Sequence, residues 1–96
     1  MLVLPARLTA HDARDALRML SQALRREPEG SVIVDACALS QLDSSALAVL
    51  LECQRLSQAF GRAFVLRNVP LKLAQLARLY GVDSLLNIEP ATQAHT

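Results

Sequence analysis

Between Ser31 and Leu39 the chain reads SVIVDACAL, a run of β-branched and small apolar residues with almost no polar interruption. Its length suits a strand rather than a helix, and its continuity predicts a central strand buried on both faces. Such a strand needs neighbours. The segments on either side supply them only through helices, and this forces the chain towards an α/β arrangement with crossover connections.

The helical pattern before this strand lies in TAHDARDALRMLSQALRRE. Ala13, Ala16, Leu17, Leu20 and Leu24 recur at helical spacing and form one apolar stripe, leaving Arg14, Asp15, Arg18, Gln22 and Arg25 for water. Thr9 and Asp12 stand at the spacing of a capping box. Pro28 and Gly30 end the segment. Ahead of it, Leu2–Leu8 (LVLPARL) reads as one short alternating strand, with Pro5 favouring an edge or a bulge. Beyond the central strand, SQLDS reads as a turn. A second helix then runs from about Ser45 to Phe60 and stops at Gly61.

A third strand, RAFVLRNV, leads to a third helix, PLKLAQLARLY, with Pro70 in its first turn and Gly81 at its end. SLLNI reads as a last short strand. The expected order is βαβαβα(β), one α/β domain over residues 1–90 with helices packed on a mixed sheet. Residues 91–96 read as a disordered polar tail.

Several functions are disfavoured by what the 96 residues contain. The formal net charge is +1, with no basic run, and aromatic residues make up 3%. These argue against nucleic acid as a partner and against base stacking. The longest unbroken apolar run, Ala46–Leu51, is far short of the roughly 20 residues that span a bilayer. No direct membrane insertion is expected, and the N-terminus does not read as a signal peptide, so the expected compartment is the cytoplasm. Cys37 and Cys53 read as buried free thiols. Neither cysteine, nor His11 and His95, offers metal-ligand spacing. The glycines form no phosphate loop, and no pair of acids or Ser/His couple suggests catalysis. The reading is a non-enzyme without metal or cofactor.

The stretch that raises a functional question is QLDSSALAVLLECQRLSQAFG, Gln41–Gly61. Asp43, Ser44 and Ser45 abut an apolar helix start. Either Ser44 or Ser45 caps the helix, or a hydroxyl is presented there to a partner, at a helix end whose free N–H groups also favour anions. Ala46, Val49, Leu50, Cys53, Leu56 and Phe60 make the expected inward face. Leu47 and Leu51 then fall on a flank with Ala48 and Arg55. Either the sheet wraps far enough to cover that flank, or it is an exposed apolar strip suited to protein binding.

VIVDACALSQLDSSALAVLL resembles the core pattern of the STAS domain family, a group that includes sulfate-transporter tails and anti-sigma factor antagonists. In that family a buried strand and a turn lead into Asp-Ser/Thr-Ser/Gly-Gly-Leu and an apolar helix. LVLPARLTAHDA is similar to the family's strand entering its first helix. LAQLARLYGVDSLL is closer to MlaB-type members, the small cytoplasmic STAS subunits of a bacterial ABC system that moves phospholipids between the inner and outer membranes.

The resemblance implies a non-catalytic subunit that binds the ABC transporter ATPase, and through it the permease. Asp43, Ser44, Ser45, Ala46, Leu47, Leu51 and Arg55 would be the contacts, with Arg78 at the rim. In antagonists the position of Ser44 accepts phosphate from an anti-sigma factor kinase, which makes Ser44 a candidate phosphorylation site and a sigma-factor switch the alternative function. An interaction domain with another partner is the third reading. Ala46 stands where the family has Gly, which favours helix and would hinder a kinase's close approach. The family's first strand has no counterpart here, so Leu2–Leu8 is expected to leave an open sheet edge and to invite self-association.

Overall fold

The computed structural model describes residues 2–26 and 30–89. The break at Pro28 and the tail 91–96 lie outside the described residues. Elements follow in the order β1 (Leu2–Val3), β2 (Arg7–Leu8), α1 (Ala13–Arg26), β3 (Val32–Asp35), β4 (Gln41–Leu42), α2 (Ser44–Ala59), β5 (Phe64–Arg67), α3 (Leu71–Leu79) and α4 (Asp83–Leu86). Three strands pair in the order β1-β3-β5, and β2 pairs separately with β4. Every described ladder is parallel. This follows from the connections, since each strand reaches its partner only after crossing over through a helix.

The opening stretch is two strands rather than one. Pro5 lies in the interruption, where Leu4 still donates to Asp35 O at 2.9 Å. The register then moves to a new partner, and Ser40 and Gln41 both donate their N–H to Ala6 O, at 2.8 and 3.0 Å. SQLDS is therefore not simply a turn. Gln41 and Leu42 align with Arg7 and Leu8, and Leu42 is buried. The small ladder joins the strand that enters α1 to the strand that enters α2, so the two helix starts lie side by side.

The central strand is buried on one face only. Val32 and Val34 are buried while Ile33 and Asp35 are half-buried, and β5 repeats the alternation with Phe64 and Leu66 against Val65 and Arg67. The helices pack against one another and over the buried face: α2 meets α1, α3 and α4, and α4 meets β5. Among the described residues no helix is long and apolar enough to cross a membrane.

The core is mostly aliphatic, with Leu4, Leu8, Leu24, Leu50, Leu66, Leu73 and Leu86 fully enclosed. In α1, Ala16, Leu20 and Leu24 are buried, with Ala13 and Leu17 packed against the same core, as the stripe predicted. Phe60 was expected inward but is exposed, because it is the C-cap of α2, where the helix unwinds. There Gly61 adopts φ 72°. Its N–H donates to Gln58 O, and that of Arg62 to Ser57 O, both at 2.9 Å. This pairing closes a Schellman motif, and it favours glycine at the left-handed position.

SLLNI also differs from expectation. Asp83–Leu86 is a helical turn, and only Ile88 pairs, as an isolated parallel bridge to Leu66. Cys37 is exposed on the turn after β3, so only Cys53 is a buried thiol. Desolvation pushes the Cys53 thiol up to about 12.

Leu50 sits at the centre of α2 with no exposed surface. Leu50→Ala is expected to cost about 2–5 kcal/mol in urea unfolding. A loss under about 1 kcal/mol, the scale of a surface substitution, would contradict the packing described.

Candidate functional site

The start of α2 is capped by Asp43, not by a serine. Asp43 has extended backbone angles, and its Oδ1 accepts the Ser45 N–H at 2.8 Å. Its backbone carbonyl accepts the Ala46 N–H at 3.0 Å. Asp, Ser and Asn are comparable N-caps, and only the backbone angles decide which of three adjacent candidates takes the position. Because Asp43 takes it, Ser44 becomes the first helical residue. Its hydroxyl is exposed and makes no hydrogen bond among the described residues.

The same carboxylate does a second task. Asp43 Oδ2 accepts the N–H of Ala10 at 3.1 Å, from the loop ahead of α1. One side chain therefore links the two helix starts that β2 and β4 bring together. The N–H of Ser45 lowers the Asp43 carboxyl pKa most, the N–H of Ala10 lowers it further, and Lys72 at the start of α3 adds a smaller Coulombic effect.

The α1 loop is braced by a second acid. Asp12 Oδ2 accepts the Thr9 N–H at 3.1 Å and the Thr9 hydroxyl at 2.9 Å. Arg7 donates to both Asp12 oxygens, with closest contacts of 3.0 Å. The capping-box spacing thus describes this loop, with Asp in the role of Glu. The Arg7 hydrogen bond, followed by those from Thr9, holds the Asp12 carboxyl at about 2.

The residues expected to meet a partner divide into two groups. Ser44 and Arg55 are exposed, Asp43, Ser45 and Leu51 are half-buried, and Ala48 continues the exposed stripe one turn after Ser44. Ala46 is 0% and Leu47 3% exposed. These two face the core and cannot contact a partner at the surface. The fold covers Leu47, so the flank is not the apolar strip that was considered. The Ala46 methyl also points inward, so it does not obstruct an approach to Ser44. Arg55 forms an ion pair with Glu52 on its own helix, and Arg78 is exposed in the last turn of α3.

Exposed apolar surface also exists on α3, whose leucines were not among the expected contacts. Leu71 is 73% and Leu79 75% exposed. They lie eight residues apart, with Gln75 between them, along one face of α3. Tyr80 is exposed just beyond. The signal was present in LKLAQLARL, which has four leucines where Leu73 and the half-buried Leu76 take the inward side. On the other flank of α2, a groove of about 260 Å³ is lined by Ala13, Arg14, Leu17, Ala48 and Val49. Ser44 lies one turn before Ala48 of this groove, and Lys72, which acts on Asp43, puts the start of α3 at the same end. A cavity of about 530 Å³ between α3 and α4, lined by residues that include Ala74, Arg78, Asp83 and Ser84, lies towards the far end of α3. Among the described residues no group of three or more His, Cys, Asp or Glu could hold a metal ion.

A small parallel α/β domain with a capped helix start presenting a free hydroxyl is the class defined by this geometry. The family whose description is "Mlab, STAS domain" matches residues 1–87, and the chain belongs to the STAS domain family. Among solved structures, the chain is similar to an anti-sigma-factor antagonist (STAS) domain protein from Planctomyces limnophilus. The TM-score is 0.74 at 17% identity, over 96% of this chain and 82% of that one. At that identity the likeness concerns the fold. No curated protein sequence matches the chain.

Two measurements check this site. Asp43→Ala should destabilise the protein by about 1 kcal/mol, the usual cost of losing an N-cap. Ser44→Ala should stay within about 0.5 kcal/mol, as at other exposed positions. The reverse order in chemical denaturation would return the cap to serine. Acid stability provides the second check. Asp12 has a depressed pKa in the folded chain, so its contribution is complete above the ordinary carboxyl value and disappears as pH falls through the folded value. The melting temperature should drop from about pH 4 down to about pH 2, more steeply in the wild type than in Asp12→Asn. Equal slopes would show that the Arg7–Asp12–Thr9 contacts are absent in solution.

Proposed function

We propose that this domain is a non-catalytic, cytoplasmic docking subunit of an ABC transporter that moves phospholipids between the inner and outer membranes. It binds the ATPase subunit through the start of α2, and through it the permease. The family description supports the choice of system. The observation that carries the docking reading is the exposed, uncommitted Ser44 hydroxyl, with Asp43 taking over the capping and an apolar groove starting one turn on at Ala48. Ser44, Ala48 and Leu51 form the centre of the contact, Leu71 and Leu79 its apolar flank, and Lys72, Arg55 and Arg78 its rim. Apolar centres with charged rims are the usual anatomy of protein interfaces. ATP chemistry belongs to the partner in this reading, and the domain contributes shape and position.

A second reading, an anti-sigma factor antagonist switched at Ser44, is favoured by one specific observation. The hydroxyl that a kinase would need is exposed and uncommitted. Phosphate there would add close to two negative charges, immediately beside the Asp43 carboxylate. That repulsion would disturb both the cap and any partner seated on it.

The two readings separate on the same variants. Under docking, Ser44→Trp abolishes binding to the purified ATPase, Leu79→Asp weakens it about tenfold (about 1.4 kcal/mol), and Ser44→Ala leaves it nearly unchanged. Mass spectrometry of the protein from its own cells finds no phosphate. ATPase binding that tolerates Ser44→Trp would rule the docking surface out. Phosphate on Ser44, with binding abolished by Ser44→Glu but retained and unswitchable in Ser44→Ala, would favour the switch.

A further inference from the structure

The helices leave one face of the three-stranded sheet uncovered. Val3, Asp35 and Arg67 lie in register across β1, β3 and β5, and Ile33 is paired with Val65 on the same face. Val3 is 56% exposed, and the other four are half-buried. The apolar part of this face is three β-branched side chains, and the charged part is one acid and one base on neighbouring strands.

These two charges are cross-strand partners, yet no ion pair joins them. Asp35 uses Oδ1 to accept the Cys37 N–H at 2.9 Å and the Asn68 amide at 3.1 Å. The Cys37 thiol also lies against this carboxylate. Arg67 donates Nε to Glu89 at 2.9 Å. Its terminal nitrogens have no hydrogen-bond partner among the described residues. An acid and a base whose hydrogen bonds run to other groups, and not to each other, therefore stand side by side next to a patch of Ile33 and Val65.

We propose that this face receives a second copy of the chain, sheet against sheet. The geometry specifies the symmetry. A two-fold axis parallel to the strands, running between β3 and β5, exchanges the two strands between copies. Asp35 of each copy then faces Arg67 of the other, and Ile33 faces Val65. Sheets stacked in this aligned manner sit about 10 Å apart, within reach of an arginine and an aspartate extended towards each other. An axis perpendicular to the strands would instead bring the charged row over the apolar row, so the aligned arrangement is selected. The crossed charges fix register and exclude other alignments more than they add affinity. Glu89 remains at the rim with Arg67. Five side chains make a small face beside the roughly 20–30 residues a side of a stable interface, so association is weak and depends on concentration. It uses the side of the sheet opposite the helices, and it does not depend on the docking role proposed for Ser44.

Sedimentation equilibrium over micromolar to millimolar concentrations tests the proposal. The wild-type mass should rise towards twice that of one chain. Arg67→Glu makes both charges of the row negative, and Asp35→Arg makes both positive; each variant alone should stay at single-chain mass. An equimolar mixture of the two should recover the doubled mass, because each then meets its complement. Asp35→Arg also removes the acceptor for Cys37, so Val65→Arg serves as a variant independent of that turn, and it should abolish association. A wild type that stays at single-chain mass throughout would overturn the proposal. So would a dimer that survives both Arg67→Glu and Val65→Arg, which would put the contact elsewhere, such as the open β1 edge.

Discussion

The Asp43 carboxylate is shared between two helix starts, and the geometry of the whole functional end depends on that sharing. One oxygen caps α2 through Ser45, and the other holds the α1 loop through Ala10. A helix start leaves its first N–H groups without intrahelical partners. Here a single acid satisfies one of them and also fixes the neighbouring loop. The β2–β4 ladder brings the loop and helix close enough for this. The Arg7–Asp12–Thr9 contacts then keep the loop in one conformation. A surface hydroxyl next to this clasp is held in a defined position without itself being part of the support.

Much of the fold was legible in the sequence, because the long elements carry strong periodicity. The α1 stripe and the Gly61 stop of α2 could be read directly, and so could the strand at Val32–Asp35. Features that depend on distant pairing could not. Gln41–Leu42 is two residues long and shows no alternation, so only its partnership with Arg7–Leu8 makes it a strand. SVIVDACAL read as buried on both faces because its apolar run, which takes in Ala36 and Leu39, is nearly unbroken. Those residues belong to the following turn, and the strand itself alternates.

The site was legible in location but not in assignment. Asp-Ser-Ser marks a helix start, yet three capping residues in a row cannot be ranked by type. Ala46 was read as inward and yet also counted among the partner contacts, and the burial of Leu47 was left open, because helical phase alone does not say how far neighbouring helices wrap around α2. They wrap further than one stripe, since α2 packs against α1, α3 and α4 together. The exposed leucines of α3 were visible as an excess over one inward stripe. That the start of α3 lies near the α2 start became clear only from the packing, which brings Lys72 close enough to act on Asp43.

The proposed docking turns on an exposed, uncommitted Ser44 at the centre of a surface for an ABC ATPase. The most direct test is recovery of the tagged protein from its own cells in gentle detergent, with mass spectrometry of the partners and of the peptide carrying Asp43–Ser45. Docking requires an ABC ATPase together with its membrane permease, and unmodified Ser44. A soluble kinase-like partner, with phosphate on Ser44, would contradict it.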